Sequence, residues 1–279
     1  MQTLTQIREM LAARGLAPQK RFGQNFLIDH NLIARLVETS GVGPGDLVLE
    51  VGPGTGALTE ALVERGCDVV AAEIDRGLSD LLRDRFGEKP NFRLVEGDCL
   101  AGKGEVAPGL VDAIGGRPFS LVANLPYGAA TPLMMTLLVD HPACHGMWVT
   151  IQREVAERLA AGPGTKAYGP ISVVAQALAD VKVIANLPPE CFWPRPEVTS
   201  AMVAVTRRAE PLTDDAAALS AIVQKAFGQR RKQLGSVLGR EFPFPAGIEA
   251  NDRAEKLTPA QFVALAAASS GAAPDADLG

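Results

Sequence analysis

Residues 124–127 read Asn-Leu-Pro-Tyr and close an apolar run that begins at Phe119. The side-chain oxygen of Asn124 and the main-chain carbonyl of Leu125 are two acceptors that can take both hydrogens of an exocyclic amine. Pro126 fixes the turn that aims them and brings no N–H to compete. Tyr127 then offers a flat face on which an extruded base can stack. An adenine-type amine is a poor nucleophile because its lone pair is delocalised into the ring, so it must be drawn toward tetrahedral geometry and held there. Taken alone, the same four residues fit a strand end followed by a turn begun by Asn-x-Pro.

A second candidate lies upstream, where Leu-Val-Leu-Glu-Val (47–51) runs into Gly52-Pro-Gly-Thr-Gly56 and a helical pattern from Ala57. Gly52, Gly54 and Ala57 satisfy the G-x-G-x-x-G/A spacing of dinucleotide sites, and Glu73 stands about 20 residues further on, where a ribose-binding acid is expected. Two details oppose a dinucleotide. Pro53 deletes a donor that a pyrophosphate would want, and Glu50 puts a carboxylate just before the loop, where it would repel phosphate. A cofactor without phosphates and with a positive sulfonium and ammonium, S-adenosylmethionine, suits an acid-flanked loop better. The two oxygens of Glu73 can accept from both ribose hydroxyls, and Asp98 can accept from the adenine amine while Cys99 covers the ring. Any one of these acids read singly is also a solvated loop residue or a helix N-cap.

These residues need a scaffold, and the pattern around them supplies one. Strand-like runs at 47–52, 68–75, 92–98 and 119–124 each end in a polar group and alternate with helical spacing, as in a parallel, doubly wound sheet whose ligands sit outside the carboxyl ends of the strands. Gly146–Ala161 looks like a fifth strand entering a helix, and Asp180–Pro189 and Val198–Arg208 look like two more strands. A boundary is expected at 207–215, where proline and charges follow the last strand. The domains are therefore 1–206 and 207–279, the second helical, with Arg230, Arg231 and Lys232 carried on a helix and a frayed tail from Ser269 onward.

With 47% apolar and 21% charged residues in 279, the chain can bury a core. A net charge of -5 means that any nucleic-acid partner must be met by a local basic patch. The four cysteines have no C-x-x-C spacing, which suggests neither a zinc ribbon nor a disulfide framework. His141, Cys144 and His145 have a metal-like spacing, but Pro142 and the lack of a fourth ligand favour a loop, and no metal is expected. No apolar h-region or run of about 18 apolar residues occurs, so a cytoplasmic protein without membrane association is expected.

An ordered set of stretches resembles one family, the KsgA-type rRNA adenine dimethyltransferases, which share their fold with the Erm enzymes and the mitochondrial transcription factor B group. The stretches are KRFGQNFLID, LEVGPGTGALT, EID, GD, NLPY, QREVAERLAAGPGTKAYGPISV, FWPRPEVTSAMV and AFGQRRKQL, and the match as a whole runs from about Lys20 to Leu265. The resemblance implies a seven-stranded Rossmann-like methyltransferase sheet with a small all-helical C-terminal domain. It implies transfer of methyl groups from S-adenosylmethionine to the N6 amines of two adjacent adenosines, two each, in the 3'-terminal hairpin loop of 16S rRNA, on an immature small subunit, by a monomer. It assigns Asn25 and Leu27 to closing the cofactor pocket, Gly52 to the loop, Glu73 to the ribose, Asp98 to the adenine and Asn124 to the reaction. Phe192 would meet the target base opposite Tyr127, although a phenylalanine there is otherwise core. Without the resemblance, Asn25 reads instead as a helix N-cap ahead of Leu27–Glu38, with Phe26 and Leu27 in the core.

Lys20, Arg21, Arg153, Arg158, Lys166, Arg230, Arg231 and Lys232 are candidate phosphate contacts. The chain departs from the family pattern at Gly128, Gly169-Pro170 and Gly235, which bears on RNA docking and on the second methylation. An Erm-type enzyme acting on 23S rRNA and a non-catalytic RNA-binding assembly factor of the same fold remain alternatives.

Overall fold

In the computed structural model, residues 2–102, 104–269 and 271 are described, and the remaining positions of the expected frayed tail lie outside them. The chain divides into two compact units, one of Met1–Leu137, His141–Ala156 and Lys182–Thr206, the other of Leu138–Asp140, Glu157–Val181 and Arg207–Gly279. Thr206/Arg207 is thus one edge of the helical unit. A second stretch, Glu157–Val181, packs with it as well, so that unit is not built from 207–279 alone. No helix among the described residues is long and apolar enough to cross a membrane.

The first unit opens with helix α1 (Leu4–Ala12), the short strand β1 (Phe26–Leu27) and α2 (His30–Ser40). Asp29, not Asn25, caps α2, accepting from the N–H groups of Asn31 and Leu32. The N-cap reading of Asn25 therefore fails: a carboxylate directly before the first helical turn takes the cap.

Next come β2 (Leu47–Val51), α3 (Ala57–Glu64), β3 (Asp68–Glu73), α4 (Arg76–Phe86), β4 (Phe92–Glu96), α5 (Pro108–Ile114), β5 (Phe119–Asn124), α6 (Tyr127–Asp140), β6 (Cys144–Gln152), α7 (Arg153–Ala160) and α8 (Pro170–Leu178). The strands β7 (Ala179–Leu187), β8 (Phe192–Trp193) and β9 (Ser200–Arg207) follow.

Seven strands form one sheet in the order β4-β3-β2-β5-β6-β9-β7. The pairs β3–β4, β2–β3, β2–β5 and β5–β6 are parallel, and β6–β9 is antiparallel. All five residues of β2 are buried, as expected of a parallel strand covered on both faces. The chain order reverses between β2 and β5, which places the crevice at their carboxyl ends.

Around this sheet, Ile33, Leu36, Val48, Leu62, Val69, Val122 and Met202 share one core. A smaller cluster joins Ile7 and Leu11 of α1 to Phe26, Leu78 and Leu81.

In the helical unit, α8 packs with α9 (Ala216–Phe227) and α11 (Pro259–Ser269), with the short α10 (Leu234–Leu238) between the latter two in the chain. Tyr168 is fully buried there. Its hydroxyl donates to the Leu257 carbonyl at 2.8 Å, and its ring meets Phe227 edge-on. Gln229–Lys232 form a turn between α9 and α10, not the expected helix. The reason is that Arg230 leaves the helical path to make three bonds: to Glu255 at 2.9 Å, to the Lys166 carbonyl at 2.9 Å and to the Thr165 carbonyl at 3.0 Å.

Gly235 is buried, and a Cβ there would stand 3.0 Å from both the Cβ and the carbonyl oxygen of Ala250. Packing excludes a long side chain at that position, so this departure belongs to the interior of the unit.

Candidate functional site

A cavity of about 410 Å³ opens at the carboxyl ends of β2, β3 and β5, a size suited to one small ligand. Asn25, Leu27, Gly52, Glu73, Asp98, Asn124, Leu125 and Tyr127 all line it. Residues separated by 100 positions in the chain therefore line one cavity.

The glycine loop forms one wall because only glycine fits two of its positions. Gly52 has φ +71°, and a Cβ would lie 2.9 Å from the Pro126 ring; Gly54 has φ +61°, and a Cβ would lie 2.7 Å from the Phe26 ring. A side chain at either position meets strain and a clash together. The N–H groups of the loop's three glycines are already spent. Gly52 N–H bonds to the Ala72 carbonyl, Gly56 N–H to the Pro53 carbonyl, and Gly54 N–H to the Glu73 carboxylate at 3.2 Å.

Such a loop, missing the N–H of Pro53 as well, offers a pyrophosphate few of the donors it needs. It can lie flat against a phosphate-free cofactor, and the carboxylates around it suit one that is cationic, so the residues fit S-adenosylmethionine.

Glu50 is 2% exposed and accepts the Thr59 hydroxyl at 2.7 Å. Burial pushes its carboxyl up to about 8, with the nearby Glu73 adding to the rise. At neutral pH it is mainly protonated, so the spent N–H groups, and not a charge on Glu50, are what disfavour phosphate. Glu73 is pushed up to about 7 by burial, against the pull of the Asp75 and Gly54 N–H bonds. Its Oε1 accepts from Asp75 N–H at 2.9 Å. Asp98 is exposed at the rim, with Oδ1 accepting from Leu100 N–H, and the adjoining Cys99 is buried.

Asn124 is the last residue of β5, and α6 begins at Tyr127. Ala129 and Ala130 donate their N–H groups to the Pro126 carbonyl, so Asn-Leu-Pro-Tyr is a strand end that turns straight into a helix while also facing the cavity. The Asn124 Nδ2 donates to the Asn25 carbonyl at 2.9 Å, Oδ1 accepts from the Thr150 hydroxyl, and the Tyr127 hydroxyl meets Ser200 Oγ at 2.8 Å. Gly128 is exposed at the rim, and a Cβ there would meet nothing within 4 Å.

The segment 19–27 covers the cavity. Gln19 and Gln24 both donate to one Asp75 oxygen, at 2.7 and 3.0 Å, and Asn25 Nδ2 donates back to the Gly23 carbonyl. Gln2 Nε2 and Arg85 both donate to the Thr55 carbonyl of the glycine loop. Neither the Gln19–Gln24–Asp75 strap nor the Gln2 and Arg85 props carried a sequence signal, since isolated glutamines at these spacings have no periodic or motif context.

Phe192 is not brought to the cavity. It is 2% exposed, pairs with Leu27 across β1 and β8, and packs in the core beside Met202. The aromatic expected to face a base is thus an apolar anchor for the covering segment, because its ring is buried more completely in the core than a half-open rim would allow.

Lys20 and Arg21 line the cavity and are exposed, and Arg153 is exposed at the start of α7. In the helical unit Lys166, Arg231 and Lys232 are exposed, while Arg230 is committed to the three bonds described above.

The family model described as "Ribosomal RNA adenine dimethylase" matches residues 16–269. The chain is 41% identical over 271 residues to the ribosomal RNA small subunit methyltransferase A of Phenylobacterium zucineum (strain HLK1), covering 95% of this chain and 93% of that one. It is 43% identical over 268 residues to the same-named protein of Magnetococcus marinus (strain ATCC BAA-1437 / JCM 17883 / MC-1), covering 93% and 95%. Among solved structures, the 23S rRNA methyltransferase ErmE superposes with a TM-score of 0.64 at 28% identity, covering 88% of this chain and 99% of that one. A dimethyladenosine transferase from Plasmodium falciparum superposes with a TM-score of 0.70 at 21% identity, covering 86% and 95%, a likeness of fold.

Proposed function

Since the chain belongs to the ribosomal RNA adenine dimethylase family, we propose that its cavity holds S-adenosylmethionine and a flipped adenine side by side, and that Asn124 to Tyr127 present the adenine for methylation. The protein is an S-adenosylmethionine-dependent rRNA adenine dimethyltransferase of the small subunit. The finer reading is that two adjacent adenosines in the 3'-terminal hairpin loop of 16S rRNA each receive two methyls, on an immature small subunit, in the cytoplasm, by a monomer. The observation that carries it is the convergence on one cavity of Asn124, Leu125 and Tyr127 with the phosphate-averse glycine loop and the acids Glu73 and Asp98.

S-adenosylmethionine supplies a methyl group on a positively charged sulfonium, an electrophile strong enough to need no general base before transfer. The chain's own work is binding and aim. Glu73 would accept from the ribose, Asp98 from the adenine edge of the cofactor, and Gly52 and Gly54 would let the backbone lie close to it; Asn25 and Leu27 would close the pocket. Asn124 Oδ1 and the Leu125 carbonyl accept the hydrogens of the target amine, and the Tyr127 ring stacks on the base. Transfer would form the N–C bond as the sulfonium's S–C bond breaks to leave a neutral thioether, and the amine's surplus proton would go to water. Positioning supplies most of the rate.

The test is mass spectrometry of the 16S 3'-terminal fragment from cells with and without this protein. Four methyls present with it and absent without it support the reading. The likeness to ErmE favours a second reading, action on 23S rRNA, and methyl accepted by the large-subunit RNA instead would establish that one.

The buried acids make cofactor affinity depend on pH. A carboxyl held near 8 is neutral below that pH and must release its proton to pair with a cation, so affinity for S-adenosylmethionine rises as pH climbs from 6.5 toward 8 and then levels. The slope approaches about tenfold per pH unit for one proton released. Calorimetry in buffers of different ionisation enthalpy reads that release directly, and Glu50→Gln reduces it to the part due to Glu73.

The basic residues divide by role. Arg231 and Lys232, with Lys20, Arg21, Arg153 and Lys166, meet phosphates, and neutralising both Arg231 and Lys232 lowers the salt slope of RNA binding by about 2 without changing stability. Arg230→Lys instead lowers unfolding free energy by about 1–3 kcal/mol, because Lys cannot make the forked pair of carbonyl bonds. Thermal unfolding and filter binding separate the two classes.

A further inference from the structure

The interior of β6 holds a polar group that packing does not call for. Val149 and Ile151 are fully buried, and between them Thr150 is 1% exposed, where Val would fill the same volume. A buried hydroxyl is costly unless it is bonded, and the partner of this one is Asn124 Oδ1. Thr150 stands opposite Asn124 in the β5–β6 register, and its carbonyl accepts from Leu125 N–H at 3.1 Å. One residue thus grips both members of the acceptor pair.

The direction of the amide follows from its other partner. The Asn25 carbonyl can only accept, so it must face Nδ2, which leaves Oδ1 to the Thr150 hydroxyl, acting as donor. Turned over, the amide would set its oxygen against the Asn25 carbonyl and lose that bond. In the observed direction Oδ1 keeps a second lone pair, which is the one an amine can use. Ser200 repeats the device on the neighbouring strand. It is 1% exposed at the start of β9, opposite Gln152, and its hydroxyl meets the Tyr127 hydroxyl at 2.8 Å, which fixes the ring at its far end.

We propose that Thr150 and Ser200 are positioning residues for methyl transfer, two buried hydroxyls that lock the Asn124 amide in its accepting direction and the Tyr127 ring in its stacking plane. The inference rests on the reading of Asn124 and Tyr127 given above. Neither hydroxyl lines the cavity, so each acts through the residue it holds.

The test uses the purified full chain, undermethylated small subunits for single-turnover rates, and S-adenosylhomocysteine for equilibrium binding. Thr150→Val slows transfer about 10- to 100-fold, the scale of a small misplacement of reacting groups, with S-adenosylhomocysteine affinity unchanged. Thr150→Ser, which keeps the hydroxyl, retains the parent rate, and Ser200→Ala slows transfer without weakening that affinity. On an Asn124→Ala background, Thr150→Val adds no further loss. A parental rate for Thr150→Val overturns the inference, as does an equal loss in Thr150→Ser or a matching loss of S-adenosylhomocysteine affinity, either of which would mark general damage. If Asn124→Ala is inactive while Thr150→Val is not slowed, the positioning role alone fails. If Asn124→Ala is fully active, the reading of the site fails and takes this inference with it.

Discussion

Asn124→Ala lowers the single-turnover rate of methyl transfer by about 10²–10³-fold, the usual scale for removing one preorganised polar group from a reacting centre. The substitution takes away an acceptor for the target amine and also leaves the Asn25 carbonyl and the Thr150 hydroxyl without their partner. Those orphaned groups cost about 1–3 kcal/mol each where they are shielded from water, so a modest fall in Tm accompanies the loss of rate. Leu125→Ala is the contrast. It keeps the main-chain carbonyl that the chemistry uses, and its effect is confined to the packing of a buried side chain. Rates measured on undermethylated small subunits under cofactor saturation decide the matter. Transfer by Asn124→Ala at the parent rate would remove this residue from the reaction.

Glu73→Gln raises the Kd for S-adenosylmethionine by about 10²-fold, equivalent to about 3 kcal/mol. In the parent, one carboxylate oxygen accepts from Asp75 N–H at 2.9 Å and the other from Gly54 N–H at 3.2 Å, leaving a lone pair on each for a ribose hydroxyl. An amide supplies only one oxygen. Its NH2 must then confront one of the two backbone N–H groups, donor against donor, which pushes either the glycine loop or the start of α4 away from its place. The loss combines a missing ribose bond with a displaced loop. Isothermal titration of the pure protein measures it, and a Kd within about threefold of the parent would exclude Glu73 as the ribose acid.

Much of the sheet was legible because each strand carries its own period and its own stop. The runs ending at Val51, Glu73, Glu96 and Asn124 are mainly apolar stretches closed by polar or glycine residues, and each became a parallel strand of the sheet. The cavity residues Gly52, Glu73, Asp98 and Asn124 could be found for the same reason, since in a parallel sheet the carboxyl ends converge on one edge whatever the loops do.

Misreadings came where a residue's role depends on a distant partner. Phe192 was assigned to the target base from its motif, yet the pairing of β8 with β1 turns it into the core. Asn25 was open to an N-cap role, which Asp29 fills instead. Gln229–Lys232 continued a helical pattern, yet the bonds of Arg230 to residues 165, 166 and 255 bend it into a turn. Glu50 reads from the sequence as a charge that repels phosphate, whereas burial, with Glu73 nearby and against the pull of the Thr59 bond, holds it mainly protonated near neutral pH.

By itself the sequence determined the order of strands and helices, the glycines at the loop, and the series of polar groups at strand ends. These are local properties, set by side-chain period, backbone freedom and turn chemistry within a few residues. Only the tertiary structure decided that the loop's N–H groups are spent on Glu73 and neighbouring carbonyls, that Gln19 and Gln24 strap onto Asp75, and that Thr150 and Ser200 hold Asn124 and Tyr127. Apart from the bond between Gly56 and Pro53, the partners in those bonds lie 19 to 73 residues apart in the chain, and a hydrogen bond's existence depends on distance and angle, which no local pattern of residue types contains.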